Sequence, residues 1–241
     1  MNGTLIGVGV GPGDPELVTR TALRALRLAD RVFVPVAEGG GESRAEAIVA
    51  AHVSPGRIER LAFAMSDADA RPELWDRAGE AIRRVVARPG TAAFATIGDP
   101  NVYSTFTYLA HTVRRLVPGL RVETIPGVMA MQELASRAGV VLTEGTEPLA
   151  LVPFTAGEGR LRAALAAGDT VVCYKGGRRL PQVLAAVAEA GRLEDAVLGV
   201  DLGLPGERIV PAAEGLGDER APYMTTVVVP ARRDGSRGGK L

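Results

Sequence analysis

From Thr4 to Ile125 the chain alternates short, β-branched apolar runs with longer segments whose apolar residues recur every three or four positions. No other feature of the sequence constrains the fold as strongly, because strand-then-helix repetition is the signature of parallel βαβ units. Strands are expected at 4–10, 31–36, 58–63, 91–97 and 121–125. Asp14 as N-cap and Pro15 at the first helical position predict a helix whose face is Val18, Ala22, Ala25, Leu26 and Ala29. Further helices are expected at 42–53, at 72–88 with Leu74, Ala78, Ala81, Ile82, Val85 and Val86 on one face, at 104–117, and from Pro126-Gly127 to Gly139. A polar break at Thr143 to Pro148 interrupts the pattern. It then resumes, with strands at 149–154, 170–175, 197–202 and 223–230 and helices at 158–167 and 179–190. Two α/β domains are therefore predicted, 1–142 and 143–231, and the polar, Gly-rich residues 232–241 are expected to be disordered.

Composition narrows the functional classes. Basic and acidic residues balance at 28 each, and no long basic run marks a nucleic-acid footprint. A single cysteine, Cys173, and two distant histidines, His52 and His111, supply no metal-binding spacing. No apolar run approaches the ~20 residues of a membrane helix, and the N-terminus lacks the basic start of a signal peptide. A cytoplasmic enzyme with no membrane or nucleic-acid partner and no metal is the expectation.

Three strand ends carry the candidate chemistry. The first bears Gly7, Gly9, Gly11 and Gly13. The dinucleotide fingerprint G-x-G-x-x-G fails in every register, with Pro12, Asp14 or Glu16 at its last position. Glu38 at the end of the second strand keeps a dinucleotide-binding module open as an alternative. A side-chain-free turn lets a ligand approach backbone N–H groups, but the spacing alone fits an ordinary tight turn equally well. The second is Gly98-Asp99-Pro100, where Asp99 reads either as a ligand for a ribose or amine, since ligands of open parallel sheets bind beyond strand carboxyl ends, or as a turn aspartate. The third is Pro126-Gly127-Val128-Met129-Ala130. Cys173, inside an apolar strand run, reads as a buried inert thiol. Arg178-Arg179 reads as a solvated helix start or as contacts for an anionic substrate.

Taken in order, the run from Gly7 to Val32, then Gly98-Asp99-Pro100 with Tyr103-Ser104, then Ile125-Pro126-Gly127-Val128, resembles the tetrapyrrole methylase family over about residues 4–230. The stretch Tyr103 to Phe106 with Tyr108-Leu109 is similar to members that methylate carbon 20 of precorrin-2. Uroporphyrinogen III methyltransferases usually have Gly-Gly-Asp where this chain has Ile97-Gly98-Asp99. The resemblance implies two α/β domains with the active site in the cleft between them, a homodimer, and S-adenosylmethionine as methyl donor for a tetrapyrrole substrate. Donor contacts implied by motif position are Gly98, Asp99, Val102, Met129, Ala130, Lys175 and Gly203, with Thr225 and Thr226 as weaker candidates. Pro12 and Asp14 are implied on the substrate side. The implied reaction is methyl transfer to carbon 20 of precorrin-2, giving precorrin-3A, or the same step on the cobalt-containing substrate. Asp99 and Asp14 are candidate bases for the departing proton, and Arg178 and Arg179 candidates for the substrate's carboxylates.

Overall fold

The computed structural model describes residues 3–38, 40–41, 43–63, 71–216 and 221–233. They fall into two compact units, Met1–Met129 and Ala130–Leu241.

The first unit is a parallel sheet of five strands: β1 (Thr4–Gly9), β2 (Arg31–Ala37), β3 (Ile58–Phe63), β4 (Thr91–Thr96) and β5 (Arg121–Ile125), in the order β3-β2-β4-β1-β5. The inner strands β2, β4 and β1 read as near-continuous apolar runs because both faces are covered, while the edge strands β3 and β5 carry charged residues. On one face Val8, Val32, Val34, Ala93 and Ala95 pack with α1 (Arg20–Leu28) and α2 (Arg44–Ala50), through Leu26, Ile48 and Val49. On the other, Leu5, Phe33, Ala92 and Phe94 meet α3 (Arg71–Val86) and α4 (Phe106–Leu116), through Ile82, Leu109 and Val113. Adjacent residues of one strand thus enter opposite cores, as the two-residue period of a strand requires. The aromatic side chains of this unit's core gather on this second face: Phe63 lies 4.8 Å from Trp75 and 6.2 Å from Phe94, ring centre to ring centre.

The expected helix at Pro15 is split. Asp14 caps only a short 3-10 turn at Pro15–Leu17, its Oδ1 accepting the Glu16 N–H at 2.8 Å. The chain then extends through Val18, and Thr19 caps α1 with its hydroxyl accepting the Ala22 N–H at 3.1 Å. Similarly α4 starts at Phe106, later than expected, because the Ser104 hydroxyl takes the Phe106 N–H at 3.1 Å and holds a turn there.

The second unit begins with α5 (Ala130–Ala138), ahead of the expected boundary at 142/143. The reason is packing: α5 lays Leu134 against Gly199 of the strand Val197–Val200, its methyls 3.0 and 3.1 Å from where a glycine Cβ would stand. Its sheet has the order β6-β7-β10-β8-β9, from β6 (Leu149–Pro153), β7 (Thr170–Tyr174), β8 (Val197–Val200), β9 (Arg208–Pro211) and β10 (Thr226–Val229). Only β6 and β7 pair in parallel; β7–β10, β10–β8 and β8–β9 are antiparallel, where strand–helix alternation pointed to parallel units. Helices α6 (Glu158–Ala166) and α7 (Leu180–Glu189) cover one face through Leu161, Leu165, Val183 and Val187. Arg192, 4% exposed, ties this unit together by donating to four carbonyls, those of Leu165, Asp169, Val229 and Pro230. Arg232 and Arg233, expected at the start of a disordered tail, are held instead: Arg232 donates to the Gly191 carbonyl, and Arg233 pairs with Glu147 and donates to Val141 O at 3.1 Å. The remainder of that expected tail lies outside the described residues. Among the described residues no helix is long and apolar enough to cross a membrane.

Candidate active site

Strands β4, β1 and β5 are neighbours, so the three glycine-bearing loops at their carboxyl ends meet. The Gly98 N–H donates to Gly11 O at 2.9 Å and the Val10 N–H to Thr96 O at 3.0 Å, joining the loops after β1 and β4. At Gly9 a Cβ would stand 2.4 Å from Gly98 O and 2.6 Å from Gly127 N. At Gly127 it would stand 2.2 Å from Gly98 O. No side chain fits at either place, so glycine is required by contact and not only by conformation. Gly98 itself is left-handed, at φ +67, with Met129 Cα 3.9 Å from its open side.

Asp99 fastens the same loops. Its Oδ2 accepts the Gly127 N–H at 3.2 Å and its Oδ1 the Asn101 N–H at 2.8 Å. Asn101 Nδ2 donates to Thr124 Oγ1 at 3.2 Å, a second tie between the loop after β4 and the end of β5. Asp99 is thus half-buried, with both oxygens engaged by main chain. Thr96 and Ser104 share a hydroxyl–hydroxyl bond of 3.0 Å beneath this loop. Val102 is half-buried, and Tyr103 beside it is left-handed at φ 51, its phenol raised above the usual range by burial. Asn101 and Thr124 are not among the sequence candidates, although Asp-Pro-Asn is a recognisable turn signal. Of the two implied substrate-side residues, Pro12 is buried and Asp14 is half-buried at its cap.

The remaining candidates belong to the second unit. Ala130 opens α5, and the next residue, Met131, donates its N–H to the Tyr174 hydroxyl at 3.3 Å. Lys175 follows β7 in a left-handed conformation, φ 58, and burial lowers its ammonium below the usual lysine range. Gly203, φ 70, lies beyond β8 and donates to Glu207 Oε2 at 2.7 Å. Thr225 and Thr226 are buried at the start of β10, with the Thr225 hydroxyl donating to Pro222 O at 2.7 Å. Because β7 and β8 both run antiparallel to β10, Lys175, Gly203 and Thr225 occupy the same end of this sheet. Cys173 is buried in β7, and burial pushes its thiol up to about 12, which leaves it protonated and inert. His52 sits with Nε2 3.1 Å from Pro15 O. Among the described residues no group of three or more His, Cys, Asp and Glu side chains is placed to hold a metal ion.

Residues 4–215 match the family of tetrapyrrole (corrin/porphyrin) methylases. A precorrin-2 C(20)-methyltransferase of a Sinorhizobium species is 35% identical, the match covering 96% of this chain and 97% of that protein. A cobalt-precorrin-2 C(20)-methyltransferase of Salmonella typhimurium is 32% identical, with 95% and 97% covered. Among solved structures, a uroporphyrin-III C-methyltransferase of Thermus thermophilus, complexed with S-adenyl homocysteine, superposes with a TM-score of 0.66 at 26% identity over 94% of this chain and 97% of that one.

Proposed function

The chain belongs to the tetrapyrrole (corrin/porphyrin) methylases, and we propose that within them it transfers a methyl group from S-adenosylmethionine to carbon 20 of precorrin-2, giving precorrin-3A. The observation that carries this reading is the near-full-length likeness to two enzymes named for that carbon, in a chain whose three family motifs meet at one sheet end. On the first unit the donor's contacts are Gly98, Asp99, Val102 and Met129. This place fits such a ligand: nothing stands nearer than 3.9 Å to where a Gly98 Cβ would be, so its peptide is open to close approach, while the packing of Gly9 and Gly127 against Gly98 O holds it in place.

When bound, S-adenosylmethionine supplies a methyl carbon made electrophilic by a sulfonium. The attacking carbon belongs to the electron-rich tetrapyrrole, so the protein has no covalent nucleophile to provide. The loops after β1, β4 and β5 instead fix geometry. Ties from Asp99 to Gly127, Asn101 to Thr124 and Gly98 to Gly11 hold the peptide groups of three strand ends in one arrangement, and orientation of reactants is worth up to about 7–11 kcal/mol of barrier. The carboxylates of Asp99 and Asp14 already accept backbone N–H groups, which suits them to positioning more than to collecting a proton.

Anaerobic incubation with S-adenosylmethionine and precorrin-2 is expected to yield a product heavier by one methyl, with the new methyl on carbon 20 by NMR. Unmethylated precorrin-2 after complete incubation would overturn the reading. The cobalt-containing substrate belongs in a parallel arm, because one of the two relatives is named for it; the larger kcat/KM identifies the form the enzyme uses.

A further inference from the structure

We propose that Arg178 is a specificity residue of the second unit that binds a carboxylate side chain of the substrate; the proposal rests on the tetrapyrrole-methylating reading above. Two arginines follow β7, and the structure separates them. Arg179 is spent on the fold: its guanidinium carbon lies 4.7 Å from the centre of the Phe154 ring, and it donates to Phe154 O at 3.5 Å. Arg178 is exposed, with its guanidinium carbon 5.7 Å from the centre of the Tyr223 ring, and among the described residues it makes no hydrogen bond and no ion pair. Arg137, Arg162 and Arg192 of this unit are engaged, the first with Glu207, the second with Glu158 and Glu189, the third with four carbonyls; Arg160 is exposed like Arg178 but among the described residues has no aromatic ring beside it.

The place of Arg178 is built and not incidental. Strands β7 and β10 pair antiparallel, Cys173 opposite Val227, so the chain leaving β7 runs beside the chain entering β10. Gly177 is pressed onto that neighbour so closely that a Cβ there would stand 1.7 Å from Pro222 O. The Thr225 N–H and hydroxyl both donate to the same carbonyl, at 3.1 and 2.7 Å, and close the turn that carries Tyr223. These contacts fix where the Arg178 backbone stands relative to the Tyr223 ring. Burial raises the Tyr223 phenol, which keeps the ring neutral and its face available to a cation.

Two of the three non-glycine residues with positive φ among the described residues, Lys175 (φ 58) and Asp201 (φ 48), follow β7 and β8 at this same sheet end. Backbone held in sparsely populated conformations concentrates where ligands are clamped. A planar guanidinium with its N–H fork unoccupied, held beside an aromatic ring, matches a carboxylate bidentately. Ordering of the side chain before binding reduces the entropy lost when the ligand arrives.

The test is steady-state kinetics of Arg178→Ala and Arg178→Lys against the unmodified protein, with precorrin-2 and S-adenosylmethionine under anaerobic conditions. Loss of one charge-assisted contact is expected to raise KM for precorrin-2 roughly 10- to 100-fold in Arg178→Ala. Its kcat, S-adenosylhomocysteine affinity and thermal midpoint are expected to match the unmodified protein, and Arg178→Lys to recover part of the loss. The rise of KM with added salt should also be shallower in Arg178→Ala. An unchanged KM in a folded, active Arg178→Ala overturns this assignment alone. Absence of methyl transfer by the unmodified protein overturns the functional reading and the assignment with it.

Discussion

Asp99 shows how one side chain ties two loops together. Its two oxygens accept the N–H groups of Gly127 and Asn101, so it acts as a strut between the loops after β4 and β5. Asp99→Ala leaves both donors without their acceptor, at a cost of about 1–3 kcal/mol, and Asp99→Asn, with one acceptor oxygen left, is expected to fall between the two. Urea unfolding measures the first effect. Calorimetric titration with S-adenosylhomocysteine is expected to show weakened binding, since the strut fixes Gly127 and with it the run to Met129. Undiminished affinity in a folded variant would confine Asp99 to the fold. In the sequence Asp99 reads first as a turn residue and only second as a ligand, and an aspartate after a strand has the same local signature in both roles. Only the partner twenty-eight positions away, Gly127, distinguishes them, and that pairing is set by strand order.

The elements of the first unit were the legible part of the chain. Each strand from β1 to β5 and each helix from α2 to α4 falls where apolar period placed it, because burial on both faces of a parallel sheet writes the pattern directly into sequence. What escaped was decided by hydrogen bonds with no period. Thr19, not Asp14, caps α1, and the extended Val18 breaks a face that looked continuous. Thr19→Ala is therefore expected to cost about 1 kcal/mol in denaturant unfolding, and Asp14→Ala less, since it caps a single 3-10 turn; the reverse order would contradict the observed caps. β9 went unseen because four residues ending in Pro211 carry too little alternation to register. The antiparallel pairing of β10 was illegible for a related reason: an apolar run shows that a strand is buried, and nothing about its direction. Lys175, expected from family position, could not be read as strained, because a left-handed lysine has no sequence signature.

At the scale of the whole molecule, two units of different construction predict two separable transitions. The second depends on Arg192, whose guanidinium is pushed below its ordinary value by burial and by Arg232, with Asp169 and Asp195 opposing. An arginine stays charged under such pressure, so the buried cation is balanced by the four carbonyls it bridges. Arg192→Met would take a donor from each of those carbonyls, of which Leu165 O keeps the Gly168 N–H, destabilising the second unit by about 1–3 kcal/mol, and Arg192→Lys, lacking the fork, would recover only part. The single tryptophan, Trp75, sits in the first unit. In Arg192→Met the circular dichroism midpoint should therefore shift more than the tryptophan fluorescence midpoint; equal shifts would show the two units melting as one.

The mutual contact of Gly9, Gly98 and Gly127 has one more implication, for how such a protein can change over generations. A junction of main chain packed against main chain has no side-chain identity to lose, so it tolerates drift everywhere except at the glycines themselves. Novelty in what the enzyme accepts then has to arise elsewhere, on surfaces made of side chains, where a single replacement alters charge or shape. Directed evolution toward new acceptors should accordingly gather its beneficial changes around Arg178 and Tyr223 and leave the three glycines untouched.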